Sequence, residues 1–454
     1  MVKEFKKSLF IFRRDLRLED NTALLAALEQ SETVIPCFIF DSRQIKKHEY
    51  FSTPGFLFLI NSLEEIDSAL QTKGSKLHVF QGLPEDILSK LPVDAVFFNK
   101  DYTPFSKQRD EAIQKICEEK NTVCKSFHDA LLTRPGSVHK DDGSPYTVYT
   151  PFSRRAQEQH IKKPIHDKFT NYGLLSPKED MSDKELLKTL KPEIKEETLL
   201  LTGGREEGLK LLKELPSDYV EARNNPNKNC SLLSAHHKFG TISIRESYYE
   251  GVKKFGPGST FVLELYWRDF LTHIAYHFPH VFKGAFRKEY DRIAWEDDEE
   301  NFKKWCSGNT GFPIVDAGMR ELNKTGFMHN RVRMIVASFL TKDLHISWRL
   351  GEAYFAQKLL DYDPSVNNGN WQWAASTGCD AQPYFRVFNP WLQQKKFDPE
   401  CSYIKKWIPE LRDFSAKAIH NLESQQPLGC EYPRPMLDHA TARDKAKELF
   451  KALK

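Results

Sequence analysis

No two of the eight cysteines (Cys37, Cys117, Cys124, Cys230, Cys306, Cys379, Cys401 and Cys430) form a C-x-x-C pair. That absence argues against a structural zinc site or an iron–sulfur cluster, and a disulfide framework is not expected in so long a chain. The cysteines read as reduced, mostly buried thiols of a cytoplasmic protein. Long apolar runs are missing too. None approaches the roughly 18 residues of a membrane span. Met1-Val2-Lys3-Glu4-Phe5-Lys6-Lys7 leads into a short strand rather than a signal-peptide core. Nor is there an excess of one charge. With 66 basic and 63 acidic residues the net charge is +3, so binding to nucleic acid must come from a local basic groove. No G-x-G-x-x-G follows the first strand, which disfavours a dehydrogenase-type dinucleotide. No P-loop is present either. Internal repeats and low-complexity tails are absent, and no metal site is expected.

What is present is a soluble globular composition of 454 residues, 40% hydrophobic and 28% charged, long enough for two domains. The first 130 residues alternate strand candidates (8–12, 33–40, 76–80, 95–99, 123–127) with amphipathic helices such as 56–71 and 106–119. This βαβ rhythm predicts a doubly wound parallel sheet, with ligands beyond the strand C-termini. Residues 131–204 include charged, proline-punctuated stretches and read as an interdomain connector. From 205 to 454 helical periodicity dominates, with helices predicted at 258–277, 301–307, 314–324, 329–341, 348–360 and 442–454. The fold class is therefore an α/β N-terminal domain followed by a larger all-α domain.

Several motifs carry candidate chemistry, each with a plainer structural reading. Arg13-Arg14-Asp15-Leu16-Arg17 follows the first strand at the switch-point position, where a salt-bridged turn would look the same. On a helix, Glu264, Trp267 and Arg268 share one face. Their charges need partners, which an internal salt bridge could supply. Asn330, Arg333 and Met334 line one side of another helix, leaving Arg331 free for phosphate or for solvent. Asp361-Tyr362-Asp363 precedes Asn367-Asn368-Gly369-Asn370-Trp371-Gln372-Trp373 and also reads as an Asx turn opening a helix. Small residues in Cys230-Ser231-Leu232-Leu233-Ser234 stand before a helix, where backbone N–H groups can meet phosphate. Trp295, Trp348 and Trp371 are oxidisable indoles or simply packing.

Taken together, and over nearly the whole chain (Phe10 to about Arg412), these motifs resemble the DNA photolyase and cryptochrome family. Within it the pattern is most similar to class I cyclobutane pyrimidine dimer photolyases. The resemblance implies FAD, active in its reduced form, held by Tyr219, Cys230, Ser231, Leu232, Leu233, Ser234, Phe261, Arg268, Arg333, Asp361, Tyr362, Asp363 and Asn367. It pairs Arg333 with Asp361 and sets Asn367 opposite flavin N5, where an uncharged amide suits the reduced anionic ring. It implies DNA or lesion contacts at Arg223, Glu264, Trp267, Asn330, Arg331, Met334 and Trp373, with Glu264 hydrogen-bonding the damaged pyrimidine and the tryptophans stacking on it. Trp371, Trp348 and Trp295 correspond to an electron-hopping chain. (6-4) photolyases carry histidines at the places of Asn330 and Met334, neither of which can act as proton donor in that way.

Some positions depart from the family pattern. Cys230 stands for threonine, Ala235 for proline, Asn224 for aspartate and Phe261 for a frequent tryptophan. His48 falls near a folate contact, but Phe105 and Ser106 replace the asparagine and glutamate of folate-binding members. The antenna chromophore is then of folate or deazaflavin type, another pigment, or absent. The implied function is light-dependent repair of a pyrimidine dimer flipped from UV-damaged DNA, by a monomer without membrane attachment. One alternative is a photosensory cryptochrome without repair, or a protein that does both. The other, from the residues alone, is a nucleotide-binding α/β enzyme with a helical lid.

Overall fold

The computed structural model describes residues 3–45, 48–194 and 198–453. The chain forms two compact units, each built from several segments. The first comprises Met1–Ile194, Leu201–Glu214 and Leu233–Pro279; the second comprises Lys195–Leu200, Leu215–Leu232 and His280–Lys454. The segments interleave, so compactness does not follow the linear division into 1–130, 131–204 and 205–454.

In the first unit, five strands form one parallel sheet: β1 (Phe5–Phe12), β2 (Ser31–Asp41), β3 (His78–Gly82), β4 (Ala95–Asn99) and β5 (Val123–Phe127). Their order is β3-β2-β1-β4-β5, the doubly wound arrangement that the βαβ rhythm predicts. Leu9, Ile11, Ile35, Ile39, Val96 and Phe98 are buried in one cluster of the sheet core. The central strands read as near-continuous apolar runs because parallel sheets are covered on both faces. Between the strands lie α1 (Thr22–Gln30), α2 (Thr53–Thr72), α3 (Pro84–Lys90) and α4 (Pro104–Glu119). Asn21, Ser52 and Thr103 cap α1, α2 and α4 through side-chain acceptors. The first unit also contains α5 (Tyr149–Gln157), α6 (Ile244–Phe255) and α7 (Thr260–His277).

The Arg13–Arg17 motif is absorbed into this framework. Arg13 pairs with Asp110 at 2.7 Å, Arg14 with Asp101 at 3.0 Å and Arg17 with Asp129 at 2.5 Å. Arg14 and Arg17 also donate to the carbonyls of Lys238 and Gly240. Burial opposes ionisation of Asp129, but Arg17 and Arg245 hold its carboxyl well below the usual range. The salt-bridged turn is thus what the structure shows here. The connector is likewise stitched down: Glu179 pairs with Lys7 at 2.9 Å, Asp180 with Lys76 at 2.6 Å, and Tyr172 bridges Val34 on β2.

The second unit is helical. It contains α8 (Pro313–Thr325), α9 (Asn330–Ser338), α10 (Trp348–Lys358), α11 (Pro364–Ala375) and α12 (His439–Lys451) around a core that includes Trp305, Phe312, Val336, Leu340, Phe355 and Trp371. The helix predicted at 329–341 divides. Its α-helical part ends at Ser338, and Phe339–Asp343 continues as a π turn. Apolar periodicity cannot distinguish the two, because both keep Phe339 and Leu340 inside. Among the described residues, no helix is long and apolar enough to cross a membrane.

Candidate functional site

α7 places four of the predicted residues, Phe261, Glu264, Trp267 and Arg268, in the first unit. Trp267 is half-buried and stacks on Tyr149 of α5, with ring centroids 3.7 Å apart and planes 11° from parallel. Phe270 meets the same indole edge-on at 5.7 Å. Tyr149 is held by its hydroxyl, which donates to the Leu263 carbonyl at 2.6 Å. Burial pushes this phenol up to about 12, with Glu264 and Asp269 adding to the shift. Tyr149 was not singled out from the sequence, since nothing local marks it. Arg268 donates to the carbonyls of Ala130 and His237. Its neighbour Asp269 accepts from Thr133 N at 2.7 Å and Thr133 Oγ1 at 2.9 Å. Burial raises the Asp269 carboxyl to about 6. Phe261 is buried against α6, where a Cβ on Gly251 would stand 2.5 Å from its Cδ1. Leu233 is buried, and Ser234 opens the short helix Ser234–Phe239 without a side-chain cap.

In the second unit the best-defined feature is the fork between Arg333 and Asp361. Nη1 lies 3.2 Å from Oδ1 and Nη2 2.9 Å from Oδ2, while Nε donates to the Met328 carbonyl at 2.7 Å. Such bidentate pairing fixes the plane of the guanidinium. Asp363 is the N-cap of α11, accepting from Ser365 N and Val366 N, as the Asx-turn reading has it. Tyr362, between the two acids, is half-buried. Asn367, one turn into α11, is buried and donates from Nδ2 to the Glu352 carbonyl at 3.1 Å. Among the described residues, no donor reaches its Oδ1. That leaves a carbonyl acceptor in a nearly dry position, suited to a ring N–H of a bound flavin. Trp373 is half-buried, and its ring stacks on no other ring among the described residues. A flat aromatic ligand could use that face. These two observations fit the group that the resemblance implies.

Behind Asn367 lies a polar network not foreseen from the sequence. Asn368 Nδ2 donates to Glu352 Oε1 at 2.9 Å and to the Val281 carbonyl at 3.0 Å. Gln372 Nε2 donates to Asn368 Oδ1 at 3.0 Å, and its Oε1 accepts from Phe286 N at 2.7 Å. The amides of the Asn-rich stretch therefore divide their work, with Asn368 and Gln372 holding α11 in place. Helical spacing (i, i+4) could have marked these two as a pair.

Trp371 and Trp348 are buried, and Trp295 is half-buried. Among the described residues, the ring partners of Trp371 are Phe355 at 4.9 Å and Trp305 at 6.2 Å. Trp305 was not singled out from the sequence. Its indole N–H donates to the Val336 carbonyl at 3.1 Å. Trp295 lies beside Phe450 of α12, centroids 6.5 Å apart.

Asn330 is exposed at the start of α9. Arg331 departs from the expectation that it is free: Nη2 donates to Asn224 Oδ1 at 2.6 Å, and Nη1 lies 3.7 Å from Met334 Sδ. Sequence alone could not show that the segment after Arg223 folds back on α9. Tyr219 is buried at the start of the short helix Tyr219–Ala222, with Arg223 at its C-cap. Cys230 and Ser231 are half-buried, and Leu232 is buried in a left-handed conformation, φ 54°.

Comparison with known proteins places this geometry. Residues 8–169 match the DNA photolyase family model, and residues 261–452 match the FAD binding domain of DNA photolyase. A deoxyribodipyrimidine photo-lyase of Agrobacterium fabrum is 37% identical over 98% of this chain and 97% of its own. An archaeal photolyase from Sulfolobus tokodaii, solved with two FAD molecules, is 46% identical with a TM-score of 0.90, covering 98% of this chain and 100% of that one. A cryptochrome from Synechocystis is 27% identical with a TM-score of 0.87, covering 99% and 100%. With these relatives spanning almost its whole length, the chain belongs to the DNA photolyase family and is a light-dependent, FAD-binding DNA-repair enzyme.

Proposed function

We propose that the protein splits cyclobutane pyrimidine dimers in UV-damaged DNA, and that residues 1–130, 131–204 and 205–454 serve as antenna-type domain, connector and catalytic domain. The observation that carries this reading is Asn367: a buried amide whose donor is spent on Glu352 and whose acceptor is open. An uncharged amide at that point accommodates an anionic ring without adding a second negative charge. FAD, when bound and reduced, supplies the photoexcited electron that opens the cyclobutane ring and takes it back afterwards.

This chain's own residues bind, orient and exclude water. Arg333 holds the Asp361 carboxylate in a fixed plane, and the pair would hold the cofactor there. Tyr219, Cys230, Ser231, Leu232, Leu233, Ser234, Phe261, Arg268, Tyr362 and Asp363 complete the cofactor contacts. Glu264 hydrogen-bonds the flipped pyrimidine, and Trp267, with one face backed by Tyr149, offers the other for stacking. Trp373, Asn330 and Met334 serve the lesion, while Arg223 and Arg331 take backbone phosphates. Trp371, Trp348 and Trp295 pass electrons inward when the cofactor starts oxidised. We assign the protein to the cytoplasm, as a monomer.

A second pigment belongs to this reading. Ser106 is turned inward to Asp101, at 3.1 Å, and the Arg43 guanidinium covers Phe105 at 5.2 Å. Neither residue offers the amide and carboxylate that folate needs. The Sulfolobus tokodaii photolyase was solved with two FAD molecules, and we propose a flavin-type antenna here.

The test separates repair from photoreduction. Glu264→Ala should lower repair of a thymine-dimer oligonucleotide at limiting substrate while flavin absorbance stays. Trp371→Phe should slow photoreduction while sparing repair by pre-reduced enzyme. Unchanged repair in the first variant, or unchanged photoreduction in the second, contradicts the assigned role.

A further inference from the structure

Trp305 gives Trp371 an oxidisable neighbour outside the series Trp371, Trp348 and Trp295. The two indole centroids are 6.2 Å apart, with planes 71° from parallel. Phe355 meets both rings, at 4.9 Å from Trp371 and 6.1 Å from Trp305, but a benzene ring is too hard to oxidise to hold an electron vacancy. Among the described residues, Trp348 is not a ring partner of Trp371. The Arg349 guanidinium also lies 5.7 Å from the centre of the Trp348 ring, where its charge opposes an indole cation.

Trp305 belongs to the helix Glu299–Ser307 and is fully buried, stacked at nearly parallel planes on Phe302 at 5.8 Å and on Phe355. Its indole N–H donates to the Val336 carbonyl, a bond that strengthens when the ring is a cation. Burial in an apolar shell disfavours a lasting charge there. Tyr354 of α10 is the next ring, 5.8 Å from Trp305 and half-buried. Its hydroxyl donates to Oδ1 of the exposed Asn323 at 2.6 Å and lies 3.0 Å from the Cys306 carbonyl. Burial pushes the phenol pKa up, so Tyr354 keeps its proton until it is oxidised. The Lys358 ammonium, 5.4 Å from the ring centre, disfavours a cation on the ring and favours loss of that proton.

We propose that Trp305 and Tyr354 form a second electron route, branching from Trp371 and ending at the surface beside Asn323. The proposal rests on the reading of Trp371 as an electron donor and adds a branch to it. Trp371, having given one electron to the light-excited oxidised cofactor, takes one from Trp305, and Trp305 takes one from Tyr354. The phenolic proton leaves to solvent water beside Asn323, because an amide oxygen accepts a hydrogen bond without holding a proton. The product is a neutral tyrosyl radical in place of a buried indole cation. Relief of that buried charge draws the vacancy from Trp305 to Tyr354.

The experiment illuminates the full, FAD-loaded chain, oxidised and without added reductant, then freezes it and reads radicals by electron paramagnetic resonance. Samples carry natural or ring-deuterated tyrosine. Trp348→Phe closes the competing route, so in this variant a tyrosyl signal should be at least as strong as in the native chain and should narrow on deuteration. Adding Tyr354→Phe, which removes one hydroxyl, should abolish the signal, and adding Trp305→Phe instead should do the same. Adding Trp371→Phe should abolish it too. Flavin absorbance read in the same samples verifies folding and cofactor retention. No tyrosyl signal in Trp348→Phe, or a signal that survives Tyr354→Phe or Trp305→Phe, overturns the branch while leaving Trp371 as a donor. A signal that survives Trp371→Phe overturns the donor reading and the branch with it.

Discussion

Arg333 shows what a single residue contributes here. Its guanidinium closes a fork on Asp361, whose side chain is only 5% exposed. Arg333→Met leaves that carboxylate nearly dry and unpaired, a change that costs on the order of 3 kcal/mol. The expected outcome is a lower midpoint in urea unfolding together with lost flavin absorbance. Full flavin content in the variant would remove Asp361 from the cofactor contacts. Tyr149→Ala should lower repair by dimer-loaded enzyme, because Trp267 loses a stacking partner worth about 1 kcal/mol. Tyr149→Phe should lower it less, since the ring stays. Equal repair in both variants and the native chain would mean that Trp267 does not depend on this support. The Arg333–Asp361 pair was legible in the sequence through the family motif, whereas Tyr149 was not. Its partner lies 118 residues away, and no local period links the two. The hydrogen bond between Arg331 and Asn224 was hidden for the same reason.

At the scale of elements, the strands and helices followed from composition and periodicity, and what was lost lay at their ends and in their turns. β3 starts at His78 rather than 76, and the π turn at Phe339–Asp343 left no mark in the apolar pattern. That turn carries Lys342, fully buried, with Nζ donating to the Ala375 carbonyl at the end of α11 at 3.1 Å. The packing of α10 on α11 gives a direct prediction. A Cβ on Gly351 would stand 2.2 Å from Trp371 Cη2 and 2.6 Å from Leu340 Cδ2. Gly351→Ala should cost about 1–3 kcal/mol through overpacking and slow photoreduction by shifting Trp371. Native unfolding and photoreduction would show that the helices separate at no cost.

α7 carries a pH-dependent element. Burial raises the Asp269 carboxyl to about 6 from an ordinary value of 3.8. Between these values the folded chain holds a proton that the unfolded chain releases. The contribution to stability is therefore complete below about pH 4 and is lost as pH rises through 6. The stability deficit of Asp269→Asn should accordingly be larger near pH 4.5 than at pH 7.5 in thermal unfolding. A deficit that grows toward pH 7.5 would contradict the assignment.

For the whole molecule, the doubly wound sheet and the helical part were both legible, the first from βαβ alternation and the second from sustained helical periodicity. The interleaving of the two compact units was not, because segments such as 201–214 and 233–279 contribute to the first unit through contacts far apart in sequence. The Arg13–Arg17 motif also belongs to this scale. It joins the sheet to the 238–245 segment through Arg14, Arg17 and Arg245, instead of presenting an open ligand loop. With a net charge of +3, the molecule as a whole gives little attraction to DNA. Binding should depend on local charge and weaken steeply with salt.

The central claim is that this chain uses light to split a pyrimidine dimer. The most direct measurement takes the flavin-loaded protein, photoreduces it, and follows thymine absorbance of a dimer-containing oligonucleotide under illumination and in the dark. The account predicts recovery in the light and none in the dark. Flavin that is bound and fully reduced, with no recovery in the light, would contradict it and point to a photosensory protein of the same fold.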